Sequence, residues 1–175
     1  MTTRTGLGRP VVTWSVRVLL RRREIERGGW TAAHWELLGV FPVTARADAV
    51  ARRLVHHGDA SWDFEWSGLS LPLFRDAAES YWYNLVGREP SIFVVGRPGE
   101  DIDLEPVAVT VNYDEAGAYM ESDDTVLAAP LPDWLGPSLE EFVMNHYRPE
   151  PPRKRKRRDW AAEATHGGQG SEGEP

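Results

Sequence analysis

The sequence predicts an α+β fold: a mostly antiparallel sheet, or a partly closed barrel, of about six to seven strands with about two to three helices. Short stretches in which apolar and polar residues alternate recur along the chain, and Gly- and Pro-containing turns separate them. An amphipathic segment near the end of this region predicts a C-terminal helix that packs on the sheet. The chain contains 0 Cys, so burial of apolar side chains rather than disulfides must stabilise the fold.

The domain organisation follows from composition. One domain over residues 10–148 accounts for most of the 175 residues, and a domain of that size can bury about two thirds of its unfolded surface. Residues 1–9 and 149–175 are predicted to be disordered termini. The C-terminal segment is rich in Pro, Glu, Arg and Gly and has almost no apolar side chains to bury, so burial cannot offset the entropy cost of ordering it.

Charge divides the chain in the same way. The formal net charge is -7 although residues 153–158 contribute +6, so the rest of the chain carries -13. Lysine occurs only at Lys154 and Lys156, both in the basic C-terminal segment. The sequence therefore predicts an acidic body joined to a cationic tail.

Composition and motifs also exclude several classes of function. Without cysteine there is no thiolate zinc site and no cysteine nucleophile, and without lysine in the body there is no Schiff base or phosphate-loop lysine there. The motifs G-x-S-x-G, G-x-G-x-x-G after a strand and H-E-x-x-H do not occur. We therefore predict no catalytic residue, no cofactor and no metal. No signal peptide and no membrane span are expected, so the expected location is the cytoplasm.

The first half of the domain is predicted to be mainly strands. Strands over Val12–Leu20 and Trp30–Val43 flank the turn signal Gly28-Gly29 and are expected to form a hairpin. The spacing of apolar residues after Thr44, through Val55, predicts a helix that ends at Gly58. A further strand, Asp63–Phe74, is expected to contain a bulge at Ser67-Gly68.

The second half alternates strands and helices. Residues 76–86 fit either a helical turn or a strand, and a strand from Tyr81 is favoured, in a central hairpin with the doubly buried strand Ile92–Val95. Strands are also expected over Val107–Val111 and Thr125–Ala129. A helix capped by Asp114 should run to Met120, and the clearest helix is Ser138–Tyr147, with Ser138 and Glu141 in a capping box.

The basic run is the strongest candidate for partner binding. It consists of Arg153, Lys154, Arg155, Lys156, Arg157 and Arg158. Six adjacent cations attract a polyanion or an acidic protein surface. The alternatives are a solubilising tail and a tail that docks on its own acidic body. An acidic protein is the expected partner, and nucleic acid is a poorer one because the acidic body would repel a duplex.

A second candidate surface involves Trp82 and Arg88. Most of the 8 Trp fall on the buried phase of predicted strands, so they are expected in the core, whereas Trp82 is out of phase and could join Arg88 on a partner-binding surface. His56-His57 is best explained as a solvated helix end rather than a metal site. Residues 121–124, Glu-Ser-Asp-Asp, read as an acidic turn because they lack the order of a calcium loop.

Five segments of the chain carry a family resemblance. They are WSVRVLLRRRE, HWELLGVFP, LSLPLFRDAAESYWYNLVGREPSIFVVGRP, VNYDEAGAYMES and LEEFVMNHYRPEPPRKRKRRD, and they cover most of residues 14–159. The series resembles an uncharacterised bacterial family, domain-of-unknown-function family 3305. That family is found beside genes for molybdenum-dependent formate dehydrogenases and is sometimes labelled molybdopterin-guanine dinucleotide biosynthesis protein A. The last segment is the most specific, because an amphipathic helix ending in His-Tyr precedes Pro-Glu-Pro and a basic run.

The resemblance implies a non-catalytic accessory or associated protein of a formate dehydrogenase, acting in maturation, assembly or subunit interaction. It carries over no catalytic residue. The alternative is a nucleotide- or pterin-processing enzyme of molybdenum cofactor biosynthesis, in which Arg88, Arg97 and acidic loop residues would handle phosphates. A third reading, a nucleic-acid binder that uses the tail alone, ranks last.

Overall fold

A computed structural model of the chain describes residues 8–44 and 49–149. Its strands are β1 (Val12–Arg27), β2 (Trp30–Pro42), β3 (Ala51–His57), β4 (Ser61–Leu73), β5 (Ser91–Arg97), β6 (Glu105–Thr110) and β7 (Thr125–Pro130). Its α-helices are α1 (Ala78–Val86), which follows a 3₁₀ turn at Arg75–Ala77, α2 (Tyr113–Met120) and α3 (Gly136–His146). Within this part of the chain, no helix is long and apolar enough to span a membrane.

The strands form two antiparallel sheets. The first has four strands in the order β2-β1-β4-β3, and the second has three in the order β6-β5-β7. β4 lies beside β6 and β2 lies beside β7, so the inner faces of the two sheets share one core. The predicted α+β class with mostly antiparallel sheet is confirmed, and the sheets do not close into a barrel.

The β1–β2 hairpin forms as the sequence predicts. Gly28 and Gly29 have φ of +59° and +85°, which matches a two-residue turn with both residues in the left-handed region. Inward residues of β1 are fully buried, namely Val16, Val18 and Leu20. Pairing with β2 and β4 continues to Arg27 and Arg23 respectively, so β1 extends well beyond the predicted end at Leu20.

The helix predicted after Thr44 is wrong where the chain is described. Residues 51–57 form β3, which pairs antiparallel with β4 and is exposed along its whole length. Residues 51–54 are good helix formers, so local propensity does not explain this strand. It forms because the open edge of β4 satisfies the backbone of the segment through a ladder. Residues 45–48, including Ala47 of the predicted first turn, lie outside the described residues.

The strand favoured from Tyr81 is also wrong, because this segment is helix α1. Tyr81 and Asn84, three residues apart, both face the core, and the Tyr81 hydroxyl accepts a 3.0 Å hydrogen bond from the Phe74 amide. β5 is the central strand of the second sheet, but its partners are β6 and β7 rather than the segment before it. Its residues 92–95 are buried on both faces, as predicted.

Both predicted helix caps need correction, although the helices exist. α2 is capped by Asn112 rather than Asp114, since the Asn112 Oδ1 accepts a 3.1 Å bond from the Glu115 amide. α3 begins at Gly136, before the predicted Ser138, and no side chain caps it. Pro137 lies in the first turn of α3, where its missing N–H costs nothing.

The two sheets differ in length, and this difference creates a cleft. β1, β2 and β4 have 16, 13 and 13 residues, whereas β5, β6 and β7 have 7, 6 and 6. The inner face of the first sheet therefore continues past the second sheet. At that end the loop between β5 and β6 (residues 98–104) lies against the uncovered inner face.

Candidate functional site

Trp82, a predicted partner-binding residue, lies on α1 and is half-buried. Its ring packs against Tyr147 at a centroid distance of 5.4 Å and against Tyr83 at 5.1 Å. Trp82 also packs against the hydrophobic core. Trp82 is therefore held in place by these contacts, and only part of its side chain is accessible at the surface.

The neighbours of Trp82 make this surface apolar and accessible. Tyr83 is 55% exposed and Val86 is 57% exposed, and both lie on the turn of α1 next to Trp82. Tyr147 is the residue that ends α3. Burial raises the pKa of the Tyr147 hydroxyl, and the nearby charges of Glu79 and Tyr83 act in the same direction. We call the set Trp82, Tyr83, Val86 and Tyr147 the aromatic surface.

Arg88, the second predicted partner residue, lies just past the end of α1 in the turn before β5 and is exposed. In the part of the chain that the structure covers, no carboxylate forms an ion pair with it. Arg97 is the last residue of β5, a strand about 20 Å long, whereas Arg88 precedes the first residue of that strand. The two arginines that the enzyme hypothesis would combine are therefore not brought together.

Arg97 has a partner of its own. Its guanidinium makes two hydrogen bonds, of 2.5 and 2.8 Å, to the carboxylate of Asp124. These bonds hold the pKa of Asp124 below its usual value, against the effect of burial. The acidic turn at residues 121–124 is thus tied to the second sheet through an ion pair.

The predicted basic run, residues 153–158, lies outside the described residues. The described chain ends at Pro149, only two residues after Tyr147. In sequence, the basic run begins six residues after Tyr147, a member of the aromatic surface.

Sequence reasoning missed an aromatic cleft at the long end of the first sheet. The cleft has a volume of about 560 Å³, and its lining comprises Arg22, Arg52, Trp62, Phe64 and residues 98–103. The guanidinium of Arg22 lies 5.3 Å from the Trp62 ring centroid, and that of Arg52 lies 5.7 Å from the Phe64 ring centroid. Both pairs have the geometry of cation–π contacts.

Asp103 organises one side of this cleft. Its carboxylate accepts a 3.0 Å bond from the Arg22 Nε and a 3.2 Å bond from the Trp35 Nε1. Burial opposes ionisation of Asp103, but these two bonds and the charge of Arg22 hold its pKa below the usual value. A second carboxylate, Glu24, lies 3.1 Å from the Arg22 Nη1. Arg22 is therefore neutralised by two acids.

One sequence signal for the cleft was available. Trp62, Phe64 and Trp66 alternate along β4 and so share one face, which is the pattern of an aromatic row on a sheet. The lengths of the opposing strands decide which of these rings are covered. Trp66 is 1% exposed, whereas Trp62 and Phe64 remain half-buried.

The core assignment of the tryptophans holds for most of those described. Trp35 and Trp66 are buried, and Trp14 and Trp134 pack against the core. Trp82, predicted to lie outside the core, also packs against it. Trp30 is the clear exception, since it is 81% exposed beside the β1–β2 turn. Trp160 lies outside the described residues.

The histidine pair is placed differently from its predicted position. His56 and His57 lie on strand β3 and not at the end of a helix, and the His57 ring stacks on Trp62 at 5.5 Å. Across residues 8–44 and 49–149, no group of three or more His, Asp or Glu side chains is arranged to hold a metal ion.

Comparison with known proteins places the chain in a family. No curated protein and no solved structure matches it. A family model described as "Protein of unknown function (DUF3305)" matches residues 15–158, which include both sheets, the aromatic surface and the basic run. Because the match covers most of its length, the chain belongs to the family of proteins of unknown function DUF3305.

Proposed function

We propose that this protein is a non-catalytic accessory protein of a molybdenum-dependent formate dehydrogenase, acting in its maturation, assembly or subunit interaction. The five sequence segments that resemble a family associated with that enzyme supply the identity of the partner. The observation that supports the binding role is the contact between Trp82 and Tyr147, because Tyr147 belongs to the aromatic surface and precedes the basic run by six residues in sequence.

The two elements have complementary roles in such binding. Half-exposed Trp and Tyr side chains are the residues most often found at the energetic centre of protein interfaces. A cationic run in the same chain increases the rate of encounter with an acidic surface and loses this effect at high salt. Residues 153–158 would thus attract the enzyme, and the aromatic surface would hold it.

The test is a titration of the full chain against purified formate dehydrogenase holoenzyme. Replacing Trp82 with Ala should weaken binding about 30-fold, as expected for an interface anchor. Because Trp82 also packs on the core, Tyr83→Ala serves as a second variant with less effect on folding. Trp30→Ala is the matched control, because Trp30 is 81% exposed and lies on the distant hairpin.

Replacement of all six basic residues 153–158 with Gln should lower the association rate and remove most of its salt dependence. Unchanged affinity of the Trp82, Tyr83 and basic-run variants would contradict the proposal. The alternative, a nucleotide- or pterin-processing enzyme, makes a different prediction: GTP or a pterin should raise the thermal unfolding midpoint of the chain alone. The accessory role predicts no such shift.

A further inference from the structure

The aromatic cleft continues into a longer groove. Two further cavities, of about 500 and 260 Å³, lie along β4, one against Trp66 and the other against residues 68–70. The second cavity shares Arg52 and Asp101 with the cleft, and the third shares Val50 with the second. We call the three together the β4 groove.

The length of the β4 groove indicates the kind of molecule that fits it. Its β4 lining runs from Trp62 to Ser70, which corresponds to about 26 Å of strand. A compact small molecule occupies a concave pocket that covers most of its surface. An extended polypeptide of about eight residues has the length of this groove.

The walls of the groove also suit an extended chain. The lining of the cleft combines Arg52 of β3, the rings of Trp62 and Phe64 on β4, and residues 98–103 of the loop between β5 and β6. An extended chain alternates its side chains between two sides, so one set can contact the rings while the other contacts the loop.

Charge selects the chemistry of that chain. The described lining contains two arginines, Arg22 and Arg52, against four carboxylates, so its net charge is -2; the acids are Glu100, Asp101, Asp103 and Glu105. Arg22 is neutralised by Asp103 and Glu24, as described above. Within the described residues, the carboxylates of Glu100, Asp101 and Glu105 form no ion pair.

We propose that the β4 groove binds an extended, basic segment of a partner protein. Arg or Lys side chains of that segment would face Glu100, Asp101 and Glu105, and its apolar side chains would lie on the rings of Trp62 and Phe64. Strands alternate their side chains between two faces, so a segment in which basic and apolar residues alternate matches both features. This inference concerns a different surface from the aromatic surface and does not depend on formate dehydrogenase being the partner.

The probe is a fluorescein-labelled octapeptide in which Arg and Val alternate, titrated into the full chain. A peptide with the same composition but with four Arg followed by four Val is the control for charge alone. The alternating peptide should bind about tenfold more tightly, because only it can place its cations on one side and its apolar side chains on the other when extended. Equal affinities of the two peptides would overturn the proposal.

Matched variants locate the binding. Combined replacement of Glu100, Asp101 and Glu105 by Gln, Asn and Gln should weaken binding of the alternating peptide about tenfold. The control is the combined change of Asp133, Glu140 and Glu141 to Asn, Gln and Gln, which removes the same charge from exposed positions outside the groove lining. An equal loss in both triple variants would indicate non-specific attraction and would overturn the proposal.

The chain has a basic segment of its own, and the same assay distinguishes it. A full-length variant with residues 153–158 replaced by Gln should bind the alternating peptide as the wild type does. If the peptide binds only this variant, the groove is already filled by the protein's own basic run, and the assignment to a partner protein is overturned.

Discussion

Arg21 on β1 and Asp63 on β4 are directly opposite each other in register and form a two-pronged ion pair. The Arg21 Nε and Nη2 donate hydrogen bonds of 2.7 and 2.9 Å to the two carboxylate oxygens of Asp63. Asp63 is 7% exposed although it lies on the outer, polar face of the first sheet. Hydrogen bonding to Arg21 lowers the pKa of Asp63, against the smaller opposing effect of burial.

This pair predicts a contribution to acid unfolding. Because the pKa of Asp63 is lower in the folded state, its stabilising effect is fully present above the unfolded pKa of about 3.9 and is lost as pH falls through the folded pKa. Asp63→Asn should lower the free energy of unfolding at pH 7 by about 1–3 kcal/mol and should flatten its decline below about pH 4.

Denaturant unfolding measured from pH 2 to 7 tests this, with Asp59→Asn as the control. Asp59 is exposed and, within the described residues, has no ion pair. If the free energy of unfolding of the Asp63→Asn variant depends on pH as that of the wild type does, other carboxylates are responsible for acid unfolding.

Asn84 predicts a large loss of stability on truncation. Its Nδ2 donates to the carbonyls of Ser91 at 2.7 Å and Val111 at 2.9 Å, and its Oδ1 accepts from the Ser91 amide at 2.9 Å. Asn84→Ala leaves these groups without that partner, so the free energy of unfolding should fall by about 3 kcal/mol. Chemical denaturation measures the change, and Asn145→Ala on the exposed face of α3 should have little effect.

Two glycines should respond to alanine in opposite directions. Gly68 has φ of +82°, and a Cβ added there would overlap the carbonyl oxygen of Ala49. Gly68→Ala should therefore destabilise the protein by at least about 2 kcal/mol. Gly117 lies inside α2, and a Cβ added there would meet no other atom, so Gly117→Ala should stabilise the protein by about 0.5–1 kcal/mol. Thermal unfolding midpoints that move in the same direction would contradict this interpretation.

The hydroxyl of Tyr81 should contribute to the stability of the fold, whereas the hydroxyl of Tyr83 should not. Tyr81 is 1% exposed and its oxygen accepts the bond from the Phe74 amide, which precedes the 3₁₀ turn. Tyr81→Phe leaves a buried N–H without that acceptor and should cost about 1–2 kcal/mol. Tyr83→Phe, at a position 55% exposed, should change stability by less than about 0.5 kcal/mol. Equal changes in stability for the two variants, measured by calorimetry, would show that the hydrogen bond from the Phe74 amide to Tyr81 does not stabilise the fold.

Local pattern was sufficient wherever one segment carries its own signal. The period of two from Val12 to Val18, the Gly28-Gly29 turn and the apolar run Ile92–Val95 each predicted the element that is observed. Such signals report burial on one face or both, and this depends mainly on neighbouring residues. The helices α2 and α3 were recognised for the same reason, with only their caps displaced.

Distant contacts decided the remaining elements. Residues 78–86 fit helix or strand by spacing, and the choice of helix puts Asn84 within reach of Ser91 and Val111, the second of which is 27 residues away. Residues 51–57 became a strand because β4 offered an open edge. Neither partner can be found from the segment itself.

By itself, the sequence determined the α+β class, the main hairpin, the core role of most tryptophans and the separation of an acidic body from a basic run. Only the tertiary structure decided that Trp82 meets Tyr147 and that Arg22, Trp62 and Asp103 share a cleft. The physical reason is that these surfaces arise where elements of unequal length or distant position come together. The spacing of residues along the chain does not indicate which strand will extend beyond the strand that packs against it.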